Sequence, residues 1–276
     1  MTSAAAFDLR TEAVDSVVSR VEQSLQVRFD QASIVTKRRS IGLATDRQTW
    51  VRIEARPMDR INGQGWNGVE AAACLSGIAK PRWFQGIAWS EPDRRMMWRA
   101  DEIEFIGAAP IKPGGVLTVE PELTDAWWST LTASLDALVG QKTTRVAGLE
   151  PITQERISAT IAKVFPDVDS TIDQWCSAHA DLARSNVTAP ACVILDWEDW
   201  GRAPRGYDAA TLRGESLALP RLADRVYRER RTDLDSRSGK LAQLYQCSKY
   251  IVVGKNADPL YQPAKTLAES LVADLA

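Results

Sequence analysis

The chain has 276 residues, 45% of them hydrophobic and 25% charged, which is the composition of an ordinary globular protein with room for two lobes. Its 34 basic and 36 acidic side chains nearly cancel, so bulk charge gives no support for binding nucleic acid or an anionic membrane surface. One histidine, His179, and four scattered cysteines, Cys74, Cys176, Cys192 and Cys247, argue against a histidine-ligated zinc site, a Ser-His-Asp hydrolase, a Cys-x-x-Cys knuckle and a disulfide framework.

Taken from the start, Met1-Thr-Ser-Ala-Ala-Ala-Phe-Asp lacks the basic and apolar stretches of a signal peptide. No later run is long enough to span a bilayer, so the expected location is cytoplasmic, with no membrane partner. Val14, Val17, Val18, Val21 and Leu25 recur at helical spacing and predict a leading helix over Thr11 to Leu25. Short apolar runs at 33–37 and 40–44 follow, then a turn at Thr45-Asp-Arg-Gln and an alternating strand over Thr49 to Glu54. Gly42 stands alone there, a poor match to a glycine-rich phosphate loop. Gly68 to Gly77 reads as a helix, and Trp83 to Glu120 as further strands, with a turn at Glu91-Pro-Asp-Arg and a last strand over Val116 to Pro121. Thr124 is placed to cap a helix from Asp125 to Val139, closed by Gly140. Two more helices are expected, over Gln154 to Phe165 and over Ser170 to Ala178. Trp83, Trp89 and Trp98 fall at strand-like positions and read mainly as core, as do Trp127 and Trp128 at the opening of a helix.

The residues that carry chemistry come next. His179-Ala-Asp181-Leu-Ala-Arg-Ser-Asn186 brackets a tight loop, and the apolar run Cys192 to Leu195 leads to Asp196-Trp197-Glu198. The segment from Asn186 to Asp196 is short enough for a hairpin turning at Ala189-Pro190. Such a hairpin returns Asp196 to Asn186 and offers two oxygen ligands suited to Mg²⁺. An aspartate, an asparagine five residues on and a second aspartate past a short strand can hold a hydroxyl for attack on a magnesium-bound nucleoside triphosphate. The bland reading makes Asp181 a turn cap, Asp196 a loop charge and His179 a structural group.

Together, His179-Ala180-Asp181, Asn186, Leu195-Asp196-Trp197-Glu198 and the later Gly201 to Asp208-Ala-Ala segment resemble the catalytic half of the aminoglycoside-phosphotransferase-like small-molecule kinases. That resemblance implies an α+β, two-lobed, protein-kinase-like fold, with a β-rich nucleotide lobe over 1–121 and a helical catalytic lobe over 122–276. It implies ATP and Mg²⁺ as cofactors and a hydroxylated small molecule as acceptor. It makes Asp181 the catalytic group, Asn186 and Asp196 the metal ligands, and His179 and Asp208 structural members of the loop. It also implies that Val116 to Pro121 forms a hinge meeting the adenine edge. A lysine on the third strand normally grips the α/β-phosphates, paired with a helix glutamate; the matching positions here are Arg52 and Glu70. Arginine keeps its charge and can hold phosphate oxygens through two donors.

Trp197 and Trp200 flank Asp196 and are candidates for stacking on substrate, while Glu198 and Asp199 are candidates for meeting a cationic one. Helices are expected from Asp208, from Leu217 to Arg230, from Ser238 to Ile251 and from Pro263 to Leu275. The reading is an ATP-dependent phosphotransferase acting on an antibiotic, sugar, nucleoside or amino alcohol. Its rival is a catalytically weak nucleotide-binding or scaffold protein on the same fold, motivated by Arg52 and the glycine-poor first loop. Nucleotidyl transfer is a third option without a positive sign in the sequence.

Overall fold

The computed structural model describes residues 7–61, 64, 66–148, 150–254 and 258–276, leaving aside the Arg60 side chain. The chain divides into two compact units. The first takes Met1–Cys74 and Pro81–Gly107; the second takes Leu75–Lys80 and Ala108–Ala276.

In the first unit, helix α1 (Asp15–Leu25) is followed by strands β1 (Val35–Thr36), β2 (Ser40–Ala44) and β3 (Thr49–Pro57). A short helix α2 (Gly68–Ala71) precedes β4 (Trp83–Glu91) and β5 (Met96–Glu104). The strands form an antiparallel sheet in the order β1-β2-β3-β5-β4. Alternation along β3 explains its two faces. Val51, Ile53 and Ala55 are buried in one core with Val18, Val21 and Leu25 of α1 and with Trp98 and Ala100 of β5. Trp89 and Trp98 lie directly opposite on β4 and β5, with parallel rings 6.0 Å apart. The other face of β3 carries Arg52, Glu54 and Arg56, registered against Asp101, Arg99 and Met97 of β5. Gly42 is a strand residue of β2, opposite Arg52. A Cβ at Gly42 would lie 2.2 Å from the Trp50 ring, so the glycine makes room for an indole and shapes no phosphate loop.

The second unit begins with β6 (Ala109–Pro110) and α3 (Asp125–Gly140), whose first turn is capped where Thr124 Oγ1 accepts from the Trp127 amide at 3.2 Å. Then come α4 (Gln154–Ala162), β7 (Trp175–Ala178), β8 (Thr188–Ala189), β9 (Gly201–Pro204) and α5 (Tyr207–Glu215). The C-terminal part is helical: α6 (Pro220–Glu229), α7 (Arg231–Leu234), α8 (Arg237–Val253) and α9 (Tyr261–Leu275). Its core gathers Ile157 and Ile161 of α4, Ala209 and Ala210 of α5, Leu241 and Leu244 of α8, and Ala264 and Ala268 of α9. Two small sheets, β6-β8 and β7-β9, stitch the loops between these helices. No helix among the described residues is long and apolar enough to cross a membrane.

Three expected elements differ. The segment 170–178 is extended and ends in β7, because its backbone is held from outside: the Ile172 amide donates to Gln154 Oε1 at 2.9 Å, and the Gln174 amide to Ser238 Oγ at 2.9 Å. Residues 116–121 form no strand; they have no pairing partner among the described residues, and Val119 is 75% exposed. The helix expected from Gly68 to Gly77 is only α2 plus a 3₁₀ turn over Ala72–Cys74.

Candidate active site

The 179–208 region is built around one buried carboxylate. Asp208 stands in the first turn of α5, where the helix N-terminus favours negative charge. Its Oδ2 accepts from the His179 amide at 2.7 Å and its Oδ1 from the Ala180 amide at 2.9 Å. Burial raises the Asp208 pKa; His179, the two amides and Arg230 oppose that shift. The clamp fixes Ala180 in the left-handed region, at φ +71°. His179 is fully buried, its Nε2 2.7 Å from the Leu195 carbonyl and its ring edge-on to Trp197 at 4.8 Å.

The turn so fixed presents Asp181 at the surface. Asn186 Nδ2 donates to the Asp181 carbonyl at 2.8 Å and to its Oδ2 at 3.0 Å. The Asp181 carboxylate is open to solvent yet crowded by protein, and this desolvation raises its pKa. Asp196 and Asp199 push it the same way, against the charge of His179 and the Asn186 hydrogen bond. A second carboxylate of α5 holds the far end of the loop: Glu215 Oε2 accepts from the Arg184 amide at 2.7 Å. Arg184 is itself buried, its Nη2 donating to Ser216 Oγ at 2.5 Å, and burial pulls its pKa down to about 10 against Glu215.

Beyond Asn186 the chain makes the expected hairpin. Val187 bridges Ile194, the Thr188 amide donates to the Val193 carbonyl at 3.1 Å, and the Leu195 amide donates to the Asn186 carbonyl at 2.8 Å. Asp196 therefore follows directly on the residue bonded to Asn186, and it too is left-handed, at φ +62°. With its Nδ2 committed to Asp181, Asn186 has Oδ1 as its donor to a cation. Asn186 Oδ1 and the Asp196 carboxylate supply hard oxygens, the ligand type that suits Mg²⁺. Among the described residues no group of three or more His, Cys, Asp and Glu side chains could hold a metal, so this pair needs further oxygens, such as those of phosphates.

Trp197 and Trp200 are both buried, contrary to the expectation that they face substrate. Trp197 Nε1 donates to the Ile194 carbonyl at 2.8 Å, and the Arg145 guanidinium lies 5.2 Å over the Trp200 ring. Both indoles serve as core beneath the loop. Glu198 and Asp199 are half-buried, and the Asp199 carbonyl accepts from the Gly148 amide at 2.8 Å.

In the first unit, Arg52 is ion-paired with Glu54, and Trp66 Nε1 donates to the other oxygen of that carboxylate at 2.8 Å. Glu70, expected as the partner of Arg52, accepts from Arg99 Nη2 at 3.0 Å. Arg99 also grips Asp101 through two bonds of 2.6 Å. Burial works against the Arg99 charge, but Asp101 and Glu70 more than offset it and its pKa rises. Sequence reasoning missed Arg99 and Glu215. Glu215 had a signal: it lies seven residues after Asp208, on the same face of one helix. Arg99 had none, because its place beside Glu70 depends on the β3–β5–β4 register.

No protein-family model matches the chain, and no curated protein matches it in sequence. Solved structures do match its fold. The aminoglycoside phosphotransferase APH(4)-Ia superposes with a TM-score of 0.55 at 12% identity, over 96% of this chain and 100% of that one. APH(2")-IIIa, solved with GDP and kanamycin, gives 0.59 at 13% identity over 95% and 99% of the two chains. A choline/ethanolamine kinase family protein from Mesorhizobium loti gives 0.53 at 12% identity over 94% and 98%. The chain has the protein-kinase-like fold of these phosphotransferases, β-rich in its N-terminal part and helical in its C-terminal part.

Proposed function

We propose that the protein is an ATP-dependent phosphotransferase acting on a hydroxyl of a small molecule. The observation that carries this reading is the loop in which Asp208 clamps the His179 and Ala180 amides while Asn186 orients Asp181. Asp181 orients the attacking hydroxyl and accepts its proton; its raised pKa moves it towards the operating range of a general base. Asn186 and Asp196 hold Mg²⁺, which when bound would neutralise charge on the β- and γ-phosphates. Arg52 steadies the phosphate tail, and Arg99, on the same sheet face, holds Glu70 of α2. Positioning and charge neutralisation are the main requirements of such a transfer.

The test is ATP consumption against a panel of hydroxylated metabolites, with mass-labelled product identified and Asp181→Asn as control. The variant should lose ~10²–10⁴-fold in rate, the usual contribution of a positioned base, while binding ATP within a few-fold of the parent. Near-normal turnover in Asp181→Asn would remove the assignment. The Arg52–Glu54 ion pair favours one second reading, a nucleotide-binding protein with little catalysis. Firm ATP binding without turnover of any panel member would support it.

A further inference from the structure

The charged face of β3 holds a carboxylate on which three groups converge. Glu54 is buried; Arg52 is bonded to its Oε1, and Trp66 Nε1 donates to its Oε2 at 2.8 Å. Arg56 Nη2 lies 3.5 Å from the same Oε2. Trp66 is itself buried, with the Arg56 guanidinium 5.0 Å over its ring, and its φ is +57°. A bulky residue in the left-handed region is an outlier, and such strain persists only where the surroundings over-determine it. The bond from the indole to Glu54 is part of that determination.

The register offers each of these charges another partner. Asp101 stands directly opposite Arg52 on β5, and Arg99 directly opposite Glu54. The structure pairs them along the strands instead. Arg99 grips Asp101 and also takes Glu70 of α2, while Arg52 turns to Glu54, two residues on along the same face of β3. Glu70, expected from the sequence as the partner of Arg52, is thereby committed to another arginine. The Arg52 side chain is 25% exposed and that of Glu54 11%, so the guanidinium reaches solvent while its anchor stays covered. A guanidinium has five N–H donors, so a bond to Glu54 is compatible with a grip on phosphate.

We propose that Glu54 is the positioning residue for the phosphate grip of Arg52, taking the part expected of Glu70. The inference rests on the phosphotransfer reading for the role of Arg52. A carboxylate on the same strand holds the long arginine side chain without help from α2, a helix of only four residues. Were Glu54 merely a neutralising partner, it would compete with phosphate for Arg52. Positioning and competition predict effects of opposite sign.

The experiment is calorimetric titration of the full chain with adenosine and with ADP, both in Mg²⁺. The ratio of the two dissociation constants reads the phosphate grip, whereas a general structural defect weakens both ligands alike. The parent should prefer ADP, and Arg52→Gln and Glu54→Gln should each cut that preference by about 10–100-fold, the scale of a hydrogen bond to a charged group. Adenosine affinity should stay within a few-fold, and Glu70→Gln should cost less than Glu54→Gln. Trp66→Phe keeps a ring beneath Arg56 and removes the donor to Oε2; it should lower the preference too, and it decides the matter if Glu54→Gln does not melt cooperatively. The proposal is overturned by a preference in Glu54→Gln equal to or above the parent's, by equal weakening of both ligands, or by an equal or larger loss in Glu70→Gln. A parent without preference for ADP, or an unchanged Trp66→Phe where that variant decides, overturns it as well. If Arg52→Gln lowers the preference and Glu54→Gln does not, only the role of Glu54 falls; if Arg52→Gln leaves it intact, the phosphate grip of the phosphotransfer reading falls with it.

Discussion

Ala180 is the residue at which chemistry and backbone meet. An alanine held at φ +71° pays the steric cost of the left-handed region, roughly 1–2 kcal/mol. Asp208 enforces it through two amide bonds. Ala180→Gly should therefore stabilise the chain by about 1 kcal/mol after the extra freedom of the unfolded glycine is counted. Urea unfolding of the pair checks this, and a less stable variant would mean that the turn is not strained. Asp181, Asn186 and Asp208 were legible at this scale because their spacing is itself the signal. The burial of Trp197 and Trp200 was not, because tryptophan is equally at home in a core and against a ligand.

At the scale of elements, α5 is the part that makes the loop. Asp208 and Glu215, two turns apart on one helix, hold its two ends. Because the folded pKa of Asp208 is raised, the folded chain keeps this proton over a pH range in which the unfolded chain has shed it. The stability linked to that proton is full below the ordinary carboxylate value and is lost as pH rises through the folded value. Asp208→Asn should remove this pH-linked component. It should also cost about 1–3 kcal/mol, since its Nδ2 cannot accept from a buried amide. Denaturant unfolding across acid to neutral pH reads both effects; parallel stability profiles for parent and variant would refute the linkage. Elements set by local pattern, such as α3 with its Thr124 cap and the β2–β3 pair, were readable from sequence. Strand β7 was not: its partner β9 comes about thirty residues later, with Trp175 opposite Pro204, and nothing local announces that pairing.

At the scale of the whole molecule, if Asn186 and Asp196 hold Mg²⁺ as proposed, two oxygen ligands make metal and nucleotide binding interdependent. ATP with Mg²⁺ at ~100 times its dissociation constant should add about 2.7 kcal/mol of stability, and a chelator should remove most of it. Asp196→Asn should lose the metal-dependent part of the melting shift while keeping the fold, because asparagine tolerates positive φ well. A shift insensitive to Mg²⁺ would refute the oxygen-pair assignment. The fold class was legible because the motif implied it, and the first unit's charged sheet face was legible only as far as Arg52.

Residues Leu75–Lys80 belong with the helical unit although the chain on both sides of them belongs to the sheet unit. Ala79 is bonded there twice, its amide to Ser134 Oγ at 3.0 Å and its carbonyl to the Ile194 amide at 2.8 Å. During synthesis this segment leaves the ribosome well before either partner exists, and it must wait while β4 and β5 complete the sheet. No single cut in the gene separates the two units: a fragment starting at Ala108 would lack the peptide that ties α3 to the hairpin carrying Asp196. Complementation with a free 75–80 peptide, or a permuted gene that restores it, would be needed to obtain the 179–208 loop on its own.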